Sequence, residues 1–149
     1  MNREIDLFKR ESDKADILKS VPLFSGLSKK HLDLISQRFD EAHLAAGTVL
    51  TQEGEIGLEF VFILEGQVRV EKGQNAIGTL SSGQFFGEIA LLDQGPRTAT
   101  IVADTDVILL VLHVQYFNEL LEKIPEMSHQ ILKALCGYLR RAEAQGFSR

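Results

Sequence analysis

Phe86-Gly87-Glu88-Ile89-Ala90-Leu91, followed after five residues by Arg97-Thr98-Ala99-Thr100-Ile101, is the most informative stretch of this 149-residue chain. Gly87 lets a ligand approach the backbone with no Cβ in the way, and the run from Glu88 to Leu91 can open a short helix whose N–H groups point at an anion. Arg97 supplies a planar fork that grips phosphate oxygens in two places. A carboxylate beside a phosphate repels the ligand unless it faces a hydrogen-bond donor. A ribose hydroxyl is such a donor, so Glu88 reads as its acceptor. The segment describes a pocket for a small, singly charged phosphate attached to a sugar. Singly, a Gly-Glu dipeptide or an Arg would suit any β-hairpin; the information lies in the whole run.

Composition agrees with one soluble domain. At 149 residues the chain is long enough to bury most of a single core and too short for two ordinary domains. Its 44% hydrophobic and 25% charged residues are those of a globular protein. A formal net charge of −5 argues against DNA or an anionic membrane held by the overall field, so the anion site must be made locally. The first residues lack the apolar core of a secretion signal, and the longest aliphatic run, Val107 to Leu112, is too short to span a bilayer. A cytoplasmic location is expected. Cys136 stands alone, which suits a reducing compartment and reads as a small buried hydrophobe on a helix.

Periodicity separates three regions. Up to about Phe39 the pattern is helical, with Ile17-Leu18, Val21, Leu32, Ile35 and Phe39 at three- and four-residue spacings, broken by Pro22 and Ser25-Gly26, and Ser28 placed to cap a second helix. Short strands punctuated by Gly-containing turns follow: Thr48–Gln52, Glu59–Leu64, Gln67–Lys72, Ala76–Leu80, Gln84–Phe86, Thr98–Val102 and Val107–Leu112. Val68 and Val70 alternate with Gln67, Arg69 and Glu71, the mark of a sheet with one buried face. Beyond His113, Val114–Lys123 reads as a helix stopped near Pro125, and Glu126–Gln145 as another. Ile131, Leu135, Tyr138 and Ala142 form a stripe on it, with Leu132, Cys136 and Leu139 alongside, an apolar face wide enough to require a cover.

Catalytic signatures are missing. The four histidines, at positions 31, 43, 113 and 129, form no His-x-His pair and share no carboxylate at a ligand spacing, so a metal enzyme on a barrel of this kind is not indicated. There is no phosphate-binding Gly-x-x-x-x-Gly-Lys-Ser/Thr loop, no dinucleotide Gly spacing and no Gly-x-Ser-x-Gly. The chain reads as a binding module without cofactor or metal, not as an enzyme.

Phe86-Gly87-Glu88-x-Ala90-Leu91 with Pro96-Arg97-Thr98-Ala99-Thr100-Ile101-x-Ala103 resembles the phosphate-binding cassette of cyclic nucleotide-binding domains, the family of catabolite activator proteins, cyclic AMP-dependent kinase regulatory subunits and cyclic nucleotide-gated channels. Gly54-Glu55-x-Gly57-x-x-Phe60-Val61-Phe62-Ile63-x-x-Gly66 is similar to the family's strand-turn-strand signature, with Thr51 where an aliphatic is usual. Ile17-Leu18-x-x-Val21-Pro22-Leu23-Phe24-x-x-Leu27 resembles the helical segment before the family's barrel, so the likeness runs from about Ile17 to about Arg141.

The resemblance implies an α+β fold, an eight-stranded antiparallel jelly-roll barrel flanked by helices. It implies one domain over residues 1–149, with a helical lead-in at about 4–46, a β-roll at about 47–112 and lid helices at about 113–145. The implied ligand is cyclic AMP or cyclic GMP. Arg97 and the backbone of Ile89, Ala90 and Thr98 would hold the phosphate, Glu88 the ribose, and Val70 and Leu80 the base, with Phe86, Gly87 and Ala99 completing the site. Tyr138 and Arg141 fall where lid residues of the family contact the base. Family members with Ala at the position of Thr98 tend to prefer adenine, and a hydroxyl there can reach a guanine amino group, so cyclic AMP with tolerance of cyclic GMP is expected. No helix-turn-helix fits after the lid within this sequence, which points away from DNA and towards an unidentified effector protein, with the C-terminal helices offering a homodimer interface. A Met followed by a polar helical segment favours a free-standing protein over a piece of a longer regulator.

Overall fold

A computed structural model describes residues 14–147; the helical expectation for residues 4–13 lies outside them. The chain divides into two compact units, one of the described residues up to Arg38 and from Glu119 onward, the other Phe39–Asn118.

In the helical unit, residues 14–18 are helical and lead through turns to α1 (Lys29–Ser36). Ser28 caps α1 as expected, its Oγ accepting the His31 N–H at 3.2 Å. Leu32 and Ile35 on α1 are buried, as are Leu18, Val21, Leu23 and Phe24 before it. The division between the units falls inside α3 (Val114–Lys123), and Pro125 separates α3 from α4 (Glu126–Ala142). The Gln130 amide on α4 donates to the Pro22 carbonyl at 2.9 Å, tying that helix to the turn before α1.

Met127, Ile131 and Ala134 form the buried stripe of α4. The expected wide face is thereby corrected: Leu132 and Leu139 are 62% and 65% exposed, and Cys136 is exposed too. Leu132, Cys136 and Leu139 fall outside the covered strip, and of the expected stripe Ile131 is buried, Leu135 and Tyr138 are half-buried and Ala142 is exposed.

The second unit carries eight strands. β1 (Asp40–Leu44), β8 (Val107–His113), β3 (Glu59–Glu65) and β6 (Phe85–Phe86) make one sheet in the order β1-β8-β3-β6. β2 (Val49–Thr51), β7 (Thr100–Ala103), β4 (Gln67–Lys72) and β5 (Asn75–Ser81) make the other, in the order β2-β7-β4-β5. Every ladder is antiparallel. The α+β class and the strand number are as expected, but the ladders form two four-stranded sheets and not one closed barrel. The reason lies at the corner between β3 and β4: a single residue, Gly66, carries the chain from one sheet to the other, packed so closely on Asp106, Thr105 and Val107 that a Cβ would collide. Register shifts in β2, β3 and β4 bend the ladders further.

β1 also corrects the expected helical lead-in, because residues 40–44 are strand. Its sequence alternates weakly; its partner β8, whose Val107–Leu110 segment is buried, selects the extended form through the register Asp40↔Val111 to Leu44↔Val107.

Central β3 buries Phe60, Val61, Phe62 and Ile63 in succession. Phe60 packs edge-on to Phe39 at 6.0 Å and against Phe85 at 5.6 Å. Val61, Ile63, Val68, Ile101, Ala103, Val107 and Leu109 form the core cluster, with Val70, Leu80 and Phe86 half-buried against it. Phe86, the last residue of β6, thus packs on this cluster just ahead of the segment that follows. None of the helices among the described residues is long and apolar enough to cross a membrane.

Candidate functional site

β6 ends at Phe86, and the chain turns at Gly87 into α2 (Glu88–Asp93). Gly87 is the N-cap in the left-handed region, at φ 87° and ψ 7°, where residues with a Cβ are disfavoured. No side chain caps the helix, and its first N–H groups have no acceptor within the helix. At the other end Gln94 takes φ 51°, the one positive φ outside glycine among the described residues, and the Asp93 carboxylate accepts the Gly95 N–H at 2.8 Å. Strained backbone of this kind gathers at functional segments.

Arg97 is held by both its backbone and its side chain. Its N–H donates to the Glu55 carbonyl at 2.7 Å, and its carbonyl accepts the Gly54 N–H at 2.8 Å. Gly57 N–H donates to the Gly95 carbonyl at 3.0 Å, and Ile56 bridges Pro96, so the loop between β2 and β3 runs beside residues 95–97 as a short antiparallel ladder. The guanidinium Nη2 donates to the Glu59 carbonyl at 2.5 Å and lies 5.9 Å from the centre of the Phe86 ring. A Cβ on Gly57 would stand 3.0 Å from Arg97 Nε, and one on Gly87 2.5 Å from Nη1, so the two glycines make the slot the arginine occupies. Burial lowers the Arg97 pKa, partly offset by the Glu59 carboxylate; an arginine remains charged under such conditions.

Residues 86–90, Asp93 and residues 95–98 line one cavity of about 500 Å³. The uncapped start of α2, Glu88 and Arg97 therefore share one space, which can take an anion at the N–H groups and cation, and a hydroxyl at the carboxylate. Phe86, Gly87, Glu88, Ile89, Ala90, Arg97 and Thr98 are the expected site residues found in this lining. Val70, Leu80 and Ala99 are half-buried nearby in sequence or sheet but outside it, Val70 and Leu80 being joined to it through Phe86 in the core cluster. Tyr138 and Arg141 belong to the helical unit, where the Arg141 guanidinium sits 4.9 Å from the Tyr138 ring centre. Arg97 also lines a second cavity, of about 240 Å³, with Glu55, Glu59 and His113. His113 Nδ1 accepts the Gln115 N–H at 3.0 Å and so caps α3.

Sequence reasoning missed the Glu59 carbonyl and the purpose of the Gly54-Glu55-x-Gly57 motif. The motif was visible; its partner, some 40 residues on, was not. Among the described residues no three His, Cys, Asp or Glu side chains gather as a metal site would require.

A profile of the cyclic nucleotide-binding domain matches residues 41–124, more than half of the chain and every residue lining the larger cavity. The chain belongs to the cyclic nucleotide-binding domain family. It is 37% identical over 117 residues to a cyclic nucleotide-gated potassium channel of Rhizobium etli, covering 78% of this chain and 33% of the channel. It is 31% identical over 133 residues to the cyclic AMP receptor protein of Thermus thermophilus, covering 86% of this chain and 62% of that protein. The chain thus spans a third to three fifths of these relatives. The N-terminal domain of a transcriptional regulator from Streptomyces coelicolor superposes with a TM-score of 0.81 at 29% identity, covering 90% of this chain and 96% of that one. A domain of this family is regulatory and carries no catalysis of its own.

Proposed function

We propose that this chain binds cyclic AMP, with tolerance of cyclic GMP, in the cassette cavity, and that binding is signalled through its C-terminal helix. The observation that carries the reading is that Arg97, Glu88 and the uncapped start of α2 line one cavity. Arg97 takes the equatorial phosphate oxygens with the N–H groups of Ile89, Ala90 and Thr98, and Glu88 accepts the ribose 2′-hydroxyl. Val70 and Leu80 form the apolar wall for the base, and the Thr98 hydroxyl admits guanine. A calorimetric titration with cyclic AMP and cyclic GMP tests this; no heat and no saturation with either ligand would end it. In the same assay 2′-deoxy cyclic AMP is expected to bind the parent about tenfold or more weakly, the worth of a hydrogen bond to a charged group, and to lose little further in Glu88→Gln. A parent that does not distinguish the two nucleotides removes Glu88 from the ribose.

Closure follows from the same reading. Ligand capture draws the cassette towards Arg97, α3 swings about the buried Phe117, and α4 folds down so that Tyr138 stacks on the base and Arg141 lies beside it, a population shift limited by the ligand's differential affinity for the two states. Hydrogen exchange of residues 128–144 is expected to slow on saturation with cyclic AMP; unchanged protection there would make α4 a fixed element.

The exposed Leu132 and Leu139 favour a second reading, an interaction module that pairs two copies through α4 or docks an effector protein with the pocket incidental. Sedimentation with and without nucleotide separates the two.

A further inference from the structure

Glu53 lines neither of the two cavities at Arg97, yet two of its polar groups and the backbone of its two neighbours reach three separate segments, the β4–β5 turn, β7 and Arg97. Its carboxylate Oε1 accepts the Gly73 N–H at 2.9 Å, and its own N–H donates to Thr100 Oγ1 at 2.9 Å. The next two residues hold Arg97, Gly54 through its N–H at 2.8 Å and Glu55 through its carbonyl at 2.7 Å.

Gly73 opens the two-residue turn of the β4–β5 hairpin, whose strands close on the pair Lys72↔Asn75. At φ 64° it occupies the first central position of a type II′ turn, where its N–H points away from the ladder and needs an acceptor from elsewhere. The same hairpin carries Val70 and Leu80, paired through Val70↔Gly78 and Val68↔Leu80. Its far end is otherwise open: residues 73–79 are all exposed.

We infer that Glu53 is a positioning residue that locks the tip of the β4–β5 hairpin to the loop gripping the Arg97 backbone, so that the base wall and the phosphate arginine move as one frame. The inference rests on the nucleotide reading for its effect on affinity, but the lock itself is a property of the unliganded chain. Glu53→Gln keeps a carbonyl oxygen where Oε1 stands and removes the charge, whereas Glu53→Ala removes the acceptor; the contrast isolates the hydrogen bond from the charge.

Amide exchange read by NMR on the unliganded full chain, with both variants, gives the test. Glu53→Ala is expected to accelerate exchange at Gly73 and, with it, at Gly54 and Arg97, and Glu53→Gln to restore all three. Cyclic AMP affinity, measured in parallel, should fall about fivefold in Glu53→Ala, the worth of one ordinary hydrogen bond, and stay near the parent in Glu53→Gln. Acceleration confined to Gly73, or equal affinity losses in both variants, overturns the lock. A parent that binds no cyclic nucleotide while the three amides respond together would overturn the nucleotide reading and leave the lock standing.

Discussion

Arg97→Ala is expected to weaken cyclic AMP binding by about a hundredfold or more, the loss of charge-assisted bonds worth roughly 1.5–3 kcal/mol each at 1.4 kcal/mol per decade. The side chain is well placed for such an effect. It is seated between Gly57 and Gly87, braced by the Glu59 carbonyl, and half-withdrawn from water, where an ionic bond is screened less than at the surface. The backbone bonds to Gly54 and Glu55 do not involve the side chain, so the variant should keep its fold, with the Glu59 carbonyl turning to water. Arg97→Lys should recover only part of the affinity, because an ammonium supplies the charge without the fork. Calorimetric titration of both variants decides the matter: an Arg97→Ala protein that binds as tightly as the parent would place the phosphate elsewhere.

Gly87→Ala should be damaging for a different reason. The position needs φ 87°, which costs a residue with a Cβ about 1–2 kcal/mol. The added atom would also stand 2.5 Å from the Glu59 carbonyl oxygen and 2.5 Å from Arg97 Nη1. The first of these is backbone of the central strand and cannot yield cheaply, so the arginine must. The expected outcome is a stability loss of about 2–4 kcal/mol in chemical denaturation together with loss of most cyclic AMP affinity. Gly83→Ala supplies the control: Gly83 has φ 90° with nothing within 4 Å of the added atom. It should show the backbone strain alone and bind normally. Equal behaviour of the two variants would mean that the slot around Arg97 is looser than the distances imply.

Much of the site was legible because its residues are neighbours in the chain. Residues 86–90 and 95–98 line one cavity, and the turn that joins them depends on local features, a glycine that opens α2 and a Gln94-Gly95-Pro96 break that closes it. Elements with a strong periodicity of their own were equally legible, the strand β4 as Gln67–Lys72 and the helix α3 as Val114–Lys123 with the expected bounds. What failed was the weakly patterned or the distant. Asp40–Leu44 has no strong signal of its own and is a strand because β8 pairs with it. The face of α4 that is covered depends on what packs there, and the sequence offered two adjacent stripes of comparable apolarity.

Period, capping and motif chemistry act over three to five residues, so the amino-acid order alone determined that α1 is capped by Ser28, that α3 stops before Pro125, that a run of short strands lies between, and that a short glycine-opened helix stands ahead of an arginine. Partnership over tens of residues is decided by which pairings bury most apolar surface and leave fewest backbone groups without partners, and no local window contains that choice. The tertiary structure therefore decided that the eight strands part into two sheets at Gly66, that Gly54 and Glu55 hold the backbone of Arg97, that Glu59 braces its side chain, and that Cys136 faces water.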